Sequence, residues 1–547
     1  MSQSMYIIDL ETNLAHDQIW CCGVKKLGDK KGTLVFSKNE LLSLVPTSST
    51  VIGHNLISFD LPVLEKVWGV KYTNVIDTLV MARLYKPDAK GGHSLKNWGT
   101  ILNCAKMDFD VTDFDSGYTE EMGTYCLRDL DVTERVHEAL SQQFKAKGIP
   151  TYCYELEAAV RELTDVQENN GFKLDIDLAQ GWYDDMSNRM EEITAELQRV
   201  FPPIITIRFS EKTGKRLKDH VEEFNVGSRP QIAKRLKELG AVFTEFTETG
   251  REKIDENTLA NIDLPEAQLC AEYLGLVKIS GMVSSWLDNV AEDGRIHGRV
   301  NTCGAATARM THSSPNLAQI PSLEKARQCF TVEENNVLVG CDASGLELRC
   351  LAHYINDAAY THEIIEGDVH TANQIAAGLP TRNDAKTFIY AFIYGAGSEK
   401  IGQIIGGGAE EGAAMKAKFL KANPKLDKLI KTVQKEAEDY GYVRAIDGRI
   451  IWVDESYKAL NRLLQSCGAL IMKVAVRRMT EDLAAKRIPY KLVAQVHDEF
   501  QLEVPEHFAT AVGRAARRAI IEAGQELNMN CPLDGEYKIG NNWSMTH

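Results

Sequence analysis

Apolar and polar positions along the 547-residue chain change period several times, and each change marks a candidate element. Met5–Ile8, Ile19–Val24 and Leu34–Phe36 are short apolar-rich runs that predict successive strands, followed by Val51–Ile52. Asp60–Val67 and Glu120–Phe144 predict helices, the second because its apolar residues recur near the helical period. Gly148, Ile149 and Pro150 then punctuate the chain. Glu155 to about Val200 reads as one long helical pattern, stopped by Phe201, Pro202 and Pro203. After about Val300 the pattern is mixed again. Val337–Cys341 is an apolar run ending at Asp342, and Thr381–Tyr394, Ala413–Asp439 and Lys458–Arg478 predict helices. Leu492–Val496 and Phe500–Val504 alternate around His497, Asp498 and Glu499, the signature of a hairpin. Strands mixed with helices over this length predict an α/β multidomain chain of about three or four domains.

Composition narrows the class. A hydrophobic share of 44% with 25% charged residues excludes wholesale disorder, a collagen-like fibre and a disulfide miniprotein. The net charge, 62 − 77 = −15, argues against a uniformly basic wrapper of nucleic acid. It leaves room for acidic metal sites and for local basic tracks such as Arg208, Lys212, Lys215, Arg216 and Lys218. The twelve cysteines form no CxxC pair and no Cys/His zinc spacing, so reduced thiols in a cytosol are expected. The longest membrane-like stretch, Gly468–Val476, is broken by Lys473. Asp9 and Glu11 lie where a signal peptide would need an apolar run, so a soluble, non-secreted chain without membrane contact is expected.

Two constellations carry candidate chemistry. In YIIDLETN, Asp9 and Glu11 are two apart on a strand and project from one face. Two carboxylates on one edge repel unless a cation sits between them, which suggests Mg²⁺ or Mn²⁺. Asp60, in GHNLISFD, stands at a helix start, where it would equally serve as a cap. Tyr125 and Asp129, in YCLRD, are four apart on one helix face, where Tyr125 would equally be a core aromatic. Taken in this order, the segments resemble the DEDD-type 3′–5′ exonucleases with a tyrosine in the third motif. The resemblance implies an RNase H-like fold, two metals held by Asp9, Glu11, Asp60 and Asp129, and Tyr125 orienting the attacking water.

The second constellation begins with Asp342 at a strand end and Asp498 at a hairpin tip. Between them Arg382, Lys386, Tyr390 and Tyr394 recur every four residues, one stripe of two cations and two aromatics. Such a stripe suits a triphosphate beneath a sugar and base. VLVGCDASGLELR and QVHDEFQLEV resemble the first and third palm motifs of family A DNA polymerases, and TRNDAKTFIYAFIYGAG resembles their nucleotide-binding helix. The resemblance implies a right-hand palm, thumb and fingers, with two Mg²⁺ (Mn²⁺ substituting) held by Asp342, Asp498 and the Ala343 carbonyl. His497 and Glu499 would support that site, and His370 in GDVHT would join Arg382 and Lys386 on the phosphates of the dNTP. Arg309, in ATARMTHSSPNLAQIP, matches the arginine that reads the minor groove at the primer terminus, with Asn461 and Gln465 as partners. The family usually has Thr-Gly-Arg at that point; here it is Thr-Ala-Arg, which leaves the local backbone conformation open.

The similarity runs from Asp9 to the terminal NNWSMTH, in the style of the short-tailed bacteriophage replicases. It implies an exonuclease domain over 1–147, thumb and connecting helices over 148–300, palm over 301–370 and 476–547, and fingers over 371–475. Expected partners are primer–template DNA and dNTPs, with a phage helicase, primase and single-strand binding protein as further candidates, in the cytoplasm of an infected bacterial host. A family member that recruits thioredoxin carries a long basic loop in the thumb. Here only a short link, about 202–225, joins the corresponding helices, so thioredoxin is not expected. One rival is a single-subunit RNA polymerase-like enzyme, opposed by Glu347, which in the DNA enzymes sits by the sugar-facing aromatic and excludes a 2′-hydroxyl. The other is a nuclease or DNA-binding scaffold with an inactive polymerase half, opposed by the complete carboxylate sets.

Overall fold

Met5–Thr12 (β1) is buried on both faces, so its alternation is blurred. Ile7 meets Leu130 and Ile52 on one side, while Ile8 and Leu10 meet Leu41, Leu56 and Leu64 on the other. The computed structural model that provides these contacts describes residues 4–104, 115, 117–210, 212–247 and 249–547. With Ile19–Lys26 (β2), Thr33–Val35 (β3), Thr50–Gly53 (β4) and Asn74–Asp77 (β5), β1 forms a five-stranded sheet ordered β3-β2-β1-β4-β5. β1, β2 and β3 pair antiparallel, and β1, β4 and β5 pair parallel. This mixed order is the RNase H-like arrangement the N-terminal motifs led us to expect. The helix Glu120–Lys147 covers one face, and Gly23 allows its close approach: a Cβ there would lie 2.9 Å from Cys126 Sγ and 3.1 Å from Leu130.

The chain divides into two units, Phe172–His297 with Ile320–Thr331 and all the rest. The larger unit holds the five-stranded sheet and a second, antiparallel sheet. In that sheet Asn336–Ala343 lies between Glu499–Pro505, itself next to Lys491–Val496, and Gly535–Gly540. Helices Ala459–Ala485 and Ala509–Glu526 share one large core with it, including Leu470, Val474, Phe500, Leu502 and Val512. Within this unit the N-terminal part is tied to the rest by Trp452 Nε1 donating to the Tyr85 carbonyl (2.7 Å) and Ser58 Oγ donating to Asp165 (2.9 Å).

The smaller unit pairs helix Ile176–Val200 with helix Pro265–Asn289, linked by Arg189 donating to both oxygens of Glu272 at 2.7 and 3.0 Å. Ile193, Leu197, Phe224, Ile232 and Leu259 form its core. Its link after Val200 is a two-stranded ribbon, Ile204–Thr206 against His220–Glu222.

Two expected helices are in fact pairs. The Glu155–Val200 pattern is split into Thr151–Asn170 and Ile176–Val200, because Gly171 takes φ +59 at the C-cap and Phe172–Leu174 then joins a three-stranded sheet. The Ala413–Asp439 pattern is split into Ala409–Ala422 and Pro424–Tyr440, because Pro424 cannot continue a helix and instead begins one. The strands Asn74–Asp77 and Gly535–Gly540 are additions that the apolar pattern alone did not reveal.

Candidate functional site

The antiparallel register places the second carboxylate constellation. Asp342 pairs with Glu499 on one side and Glu536 on the other. Asp498 stands in the turn after Lys491–Val496, where His497 takes φ +54 to make the reversal. The Ala343 N–H donates to the Asp498 carbonyl at 2.9 Å, so the strand end and the hairpin tip are bonded side by side. Burial, and then the charges of Asp498, Glu499 and Glu536, push Asp342 up to about 7. Carboxylates crowded in this way are a hard-oxygen donor set that a divalent cation would relieve, and the residues fit such an ion. Glu499 is buried and held from the chain's last residues: Trp543 Nε1 donates to its Oε1 at 2.8 Å and the His547 ring bonds its Oε2. Gly340 lets that segment lie across the strand, since a Cβ would stand 2.3 Å from the Thr546 carbonyl oxygen.

Helix Arg382–Ile393 buries Phe388, Ile389, Phe392 and Ile393, which leaves the expected stripe facing outward. Thr381 caps it in a capping box with Asp384. Arg382 Nε donates to Asp368 (2.7 Å), and the same Asp368 caps the helix that carries His370. The His370 ring lies 6.3 Å from that of Tyr390, and burial and then Arg382, with Lys386 also near, push His370 down. Arg382, Lys386, His370 and Tyr390 thus come together. At the far end of the stripe the Tyr394 hydroxyl donates to Glu347, whose Oε1 also receives Arg309 Nη2 at 3.5 Å. Glu347, Tyr390, Tyr394, Arg309, His497 and Asp498 line one cavity of about 330 Å³.

Arg309, Gln465, His497 and Glu499 also border a neighbouring cavity of about 220 Å³. Asn461 Nδ2 donates to the Ile393 carbonyl (3.2 Å), which ties helix Ala459–Ala485 to the end of the stripe helix, and Asn461 Oδ1 accepts from Gln465 Nε2 (3.1 Å).

In the N-terminal sheet, Asp9 and Glu11 lie on β1, and carboxylate oxygens of both come within 4.8 Å of each other and of Cys126 Sγ. Asp60 opens a short helix and accepts from the Leu10 N–H at 3.0 Å, and burial together with the Asp9 charge holds it well above the ordinary carboxylate range. Tyr125 and Asp129 flank Cys126 on helix Glu120–Lys147, with Asp129 buried. Oxygen donors gathered under mutual repulsion again fit a hard divalent cation. Cys126 and Asp77 were not singled out from the sequence. Asp77, buried at the end of β5, accepts from the Asn55 and Ile57 N–H groups, both at 3.0 Å, and so shapes the loop leading to Asp60. An acidic residue closing an apolar run, NVID, was its only signal. Asp368, Glu536 and Trp543 were likewise not anticipated.

Comparison with known proteins agrees with this geometry. A family model described as DNA polymerase family A matches residues 206–545. The DNA-directed DNA polymerases of Escherichia phage T7 and Enterobacteria phage T3 are each 33% identical, over 92% of this chain and 93% of theirs. A solved structure described as the POL domain of Pol1 from M. smegmatis in complex with DNA primer-template and dNTP superposes with a TM-score of 0.82. It is 18% identical and covers 100% of this chain and 96% of its own, so it attests the polymerase fold. Palm-like carboxylates, a cation–aromatic stripe and end-to-end similarity to phage enzymes converge: the chain belongs to DNA polymerase family A.

Proposed function

We propose that this chain extends a primer on a DNA template by adding dNTPs, and removes 3′-terminal nucleotides at a second site in residues 1–147. The observation that carries the first activity is the Ala343–Asp498 backbone bond, which joins the strand end of Asp342 to Asp498, itself part of the lining of the cavity that holds Glu347, Tyr390 and Tyr394. Asp342, Asp498 and the Ala343 carbonyl would hold two Mg²⁺ in one site, and Asp9, Glu11, Asp60 and Asp129 two in the other, with Mn²⁺ as a substitute. Bound there, the ions supply positive charge to the oxygens that enter and leave phosphorus in an in-line displacement.

The protein's own groups supply position and charge, so no covalent nucleophile is needed. Arg382, Lys386 and His370 take the triphosphate, with Asp368 fixing the guanidinium of Arg382. Tyr390 packs against the sugar, and Glu347, held by Arg309 and Tyr394, leaves no space for a 2′-hydroxyl. Arg309, Asn461 and Gln465 follow the minor groove, whose acceptors occur in every base pair, so pair shape is tested without reading sequence. His497 shapes the turn beneath Asp498, and Glu499 braces the strand end through Trp543 and His547. In the N-terminal site Tyr125 orients the attacking water.

The exonuclease domain is assigned to 1–147, the thumb and connecting helices to 148–300, the palm to 301–370 and 476–547, and the fingers to 371–475. Among the described residues no helix is long and apolar enough to cross a membrane, and the phage relatives support action in the cytoplasm of an infected bacterium. A phage helicase, primase and single-strand binding protein are its proposed further partners. A labelled primer–template incubated with Mg²⁺ tests both activities: growth with dNTPs and shortening without them is the expected result. Failure to lengthen under any metal would refute the polymerase reading.

A further inference from the structure

The lysine that interrupts the apolar run Gly468–Val476 is not at the surface. Lys473 is 1% exposed in the middle of helix Ala459–Ala485. Its Nζ donates to Glu157 Oε1 at 2.6 Å and to the Ala308 carbonyl at 2.8 Å. Glu157 also receives Arg449, and Arg449 Nε donates to Asp447 at 2.7 Å; all four side chains are essentially sealed from solvent. Taking so many charges out of water is a poor route to stability, so the group calls for another explanation.

The Ala308 carbonyl supplies one. Ala308 has φ +58, the left-handed region that a Cβ penalises and glycine does not, and it is buried. The turn is closed by the Ala308 N–H on the Ala305 carbonyl (2.9 Å) and the Ala305 N–H on the Arg309 carbonyl (3.2 Å). The next side chain, Arg309, reaches Glu347. An alanine in this conformation therefore needs an outside hold, and Lys473 is the group that grips its carbonyl.

We propose that Lys473 is a positioning residue for Arg309: anchored on Glu157, its ammonium holds the left-handed turn at Ala308 and thereby delivers the Arg309 guanidinium to Glu347. This rests on the reading that Arg309 serves primer extension.

The test measures kcat and KM for dNTP in primer extension by the full chain, alongside thermal unfolding of each variant. Arg309→Ala examines the underlying reading alone and should lower kcat. Lys473→Met and Ala308→Val, which each break the hold or the turn, should lower kcat roughly tenfold, equivalent to about 1.4 kcal/mol, with a smaller change in KM. Adding Ala308→Gly to Lys473→Met should restore most of that factor, because glycine adopts the turn without help. In an Arg309→Ala background, Ala308→Val should cost little more. Absence of rescue by Ala308→Gly, or a full additional loss in the Arg309→Ala background, would overturn the proposal. If Lys473→Met does not fold, Lys473→Gln with and without Ala308→Gly takes its place, with the same loss and rescue expected and the same absence of rescue overturning the proposal. A wild-type rate in Arg309→Ala would overturn the role of Arg309 itself and this proposal with it.

Discussion

Tyr390 stands against both His370 and the cavity that holds Glu347 and Asp498, which gives its hydroxyl a defined neighbourhood. On the proposed reading, a dideoxynucleotide, which lacks the 3′-hydroxyl, would leave a polar neighbour unpaired at a cost of about 1–3 kcal/mol. The Tyr390 hydroxyl can replace that partner and a phenyl ring cannot. Near-equal use of ddNTPs and dNTPs by the wild type, and discrimination of roughly 5- to 150-fold by Tyr390→Phe, is the expected outcome of a competitive incorporation assay. A second expectation concerns Glu157. Burial alone would raise it, but Lys473 and Arg449 outweigh burial and hold it below its ordinary value. A carboxylate depressed in the folded state stabilises above the unfolded value near 4.5, and that contribution is lost as pH falls through the folded value. Glu157→Gln should therefore cost about 3–5 kcal/mol at pH 7, since it leaves the buried Lys473 without its carboxylate and Arg449 with Asp447 alone. Its gap from the wild type in denaturant unfolding should narrow below pH 4.5. At this scale the four-residue stripe and the paired carboxylates were legible, because spacing on one strand or helix fixes which side chains share a face. Partners distant in the chain, such as Asp368 for Arg382 or Glu157 for Lys473, were not, because only tertiary packing brings them together.

Elements are positioned by close approaches that glycine permits. Gly340 lies under Thr546, so Gly340→Ala would drive a Cβ into a backbone oxygen and lift the segment that presents Trp543 and His547 to Glu499. Such overpacking costs about 1–3 kcal/mol, and primer extension should fall while primer degradation persists. Gly23→Ala is the counterpart: its Cβ would press on Cys126 and Leu130 and shift helix Glu120–Lys147, which carries Tyr125 and Asp129. Degradation should then fall and extension persist; parallel assays of both variants check the pair. The hairpin around Asp498 and the helix Arg382–Ile393 were readable because turn chemistry and periodicity agree there. The long patterns at 155–200 and 413–439 misled because apolar spacing continues through Gly171 and Pro424, where backbone geometry ends the helix.

Across the whole molecule, Asp9 and Glu11 lie on one sheet and Asp342 on another, although both sheets lie in the larger unit. Between its long helices the described residues of the smaller unit form a short ribbon, Ile204–Thr206 against His220–Glu222, and two short helices, Arg229–Glu238 and Glu256–Ala260, and no long loop. Added thioredoxin should therefore leave product length unchanged on a long template, a comparison that a gel resolves directly. The central claim, one chain with two separable sites, is tested most directly by one four-way assay of extension and degradation on a labelled primer–template. Asp342→Ala should abolish lengthening with dNTPs and keep shortening without them, whereas Asp9→Ala with Glu11→Ala should abolish shortening and keep lengthening. Loss of both activities from either change, in protein with wild-type unfolding behaviour, would contradict the account.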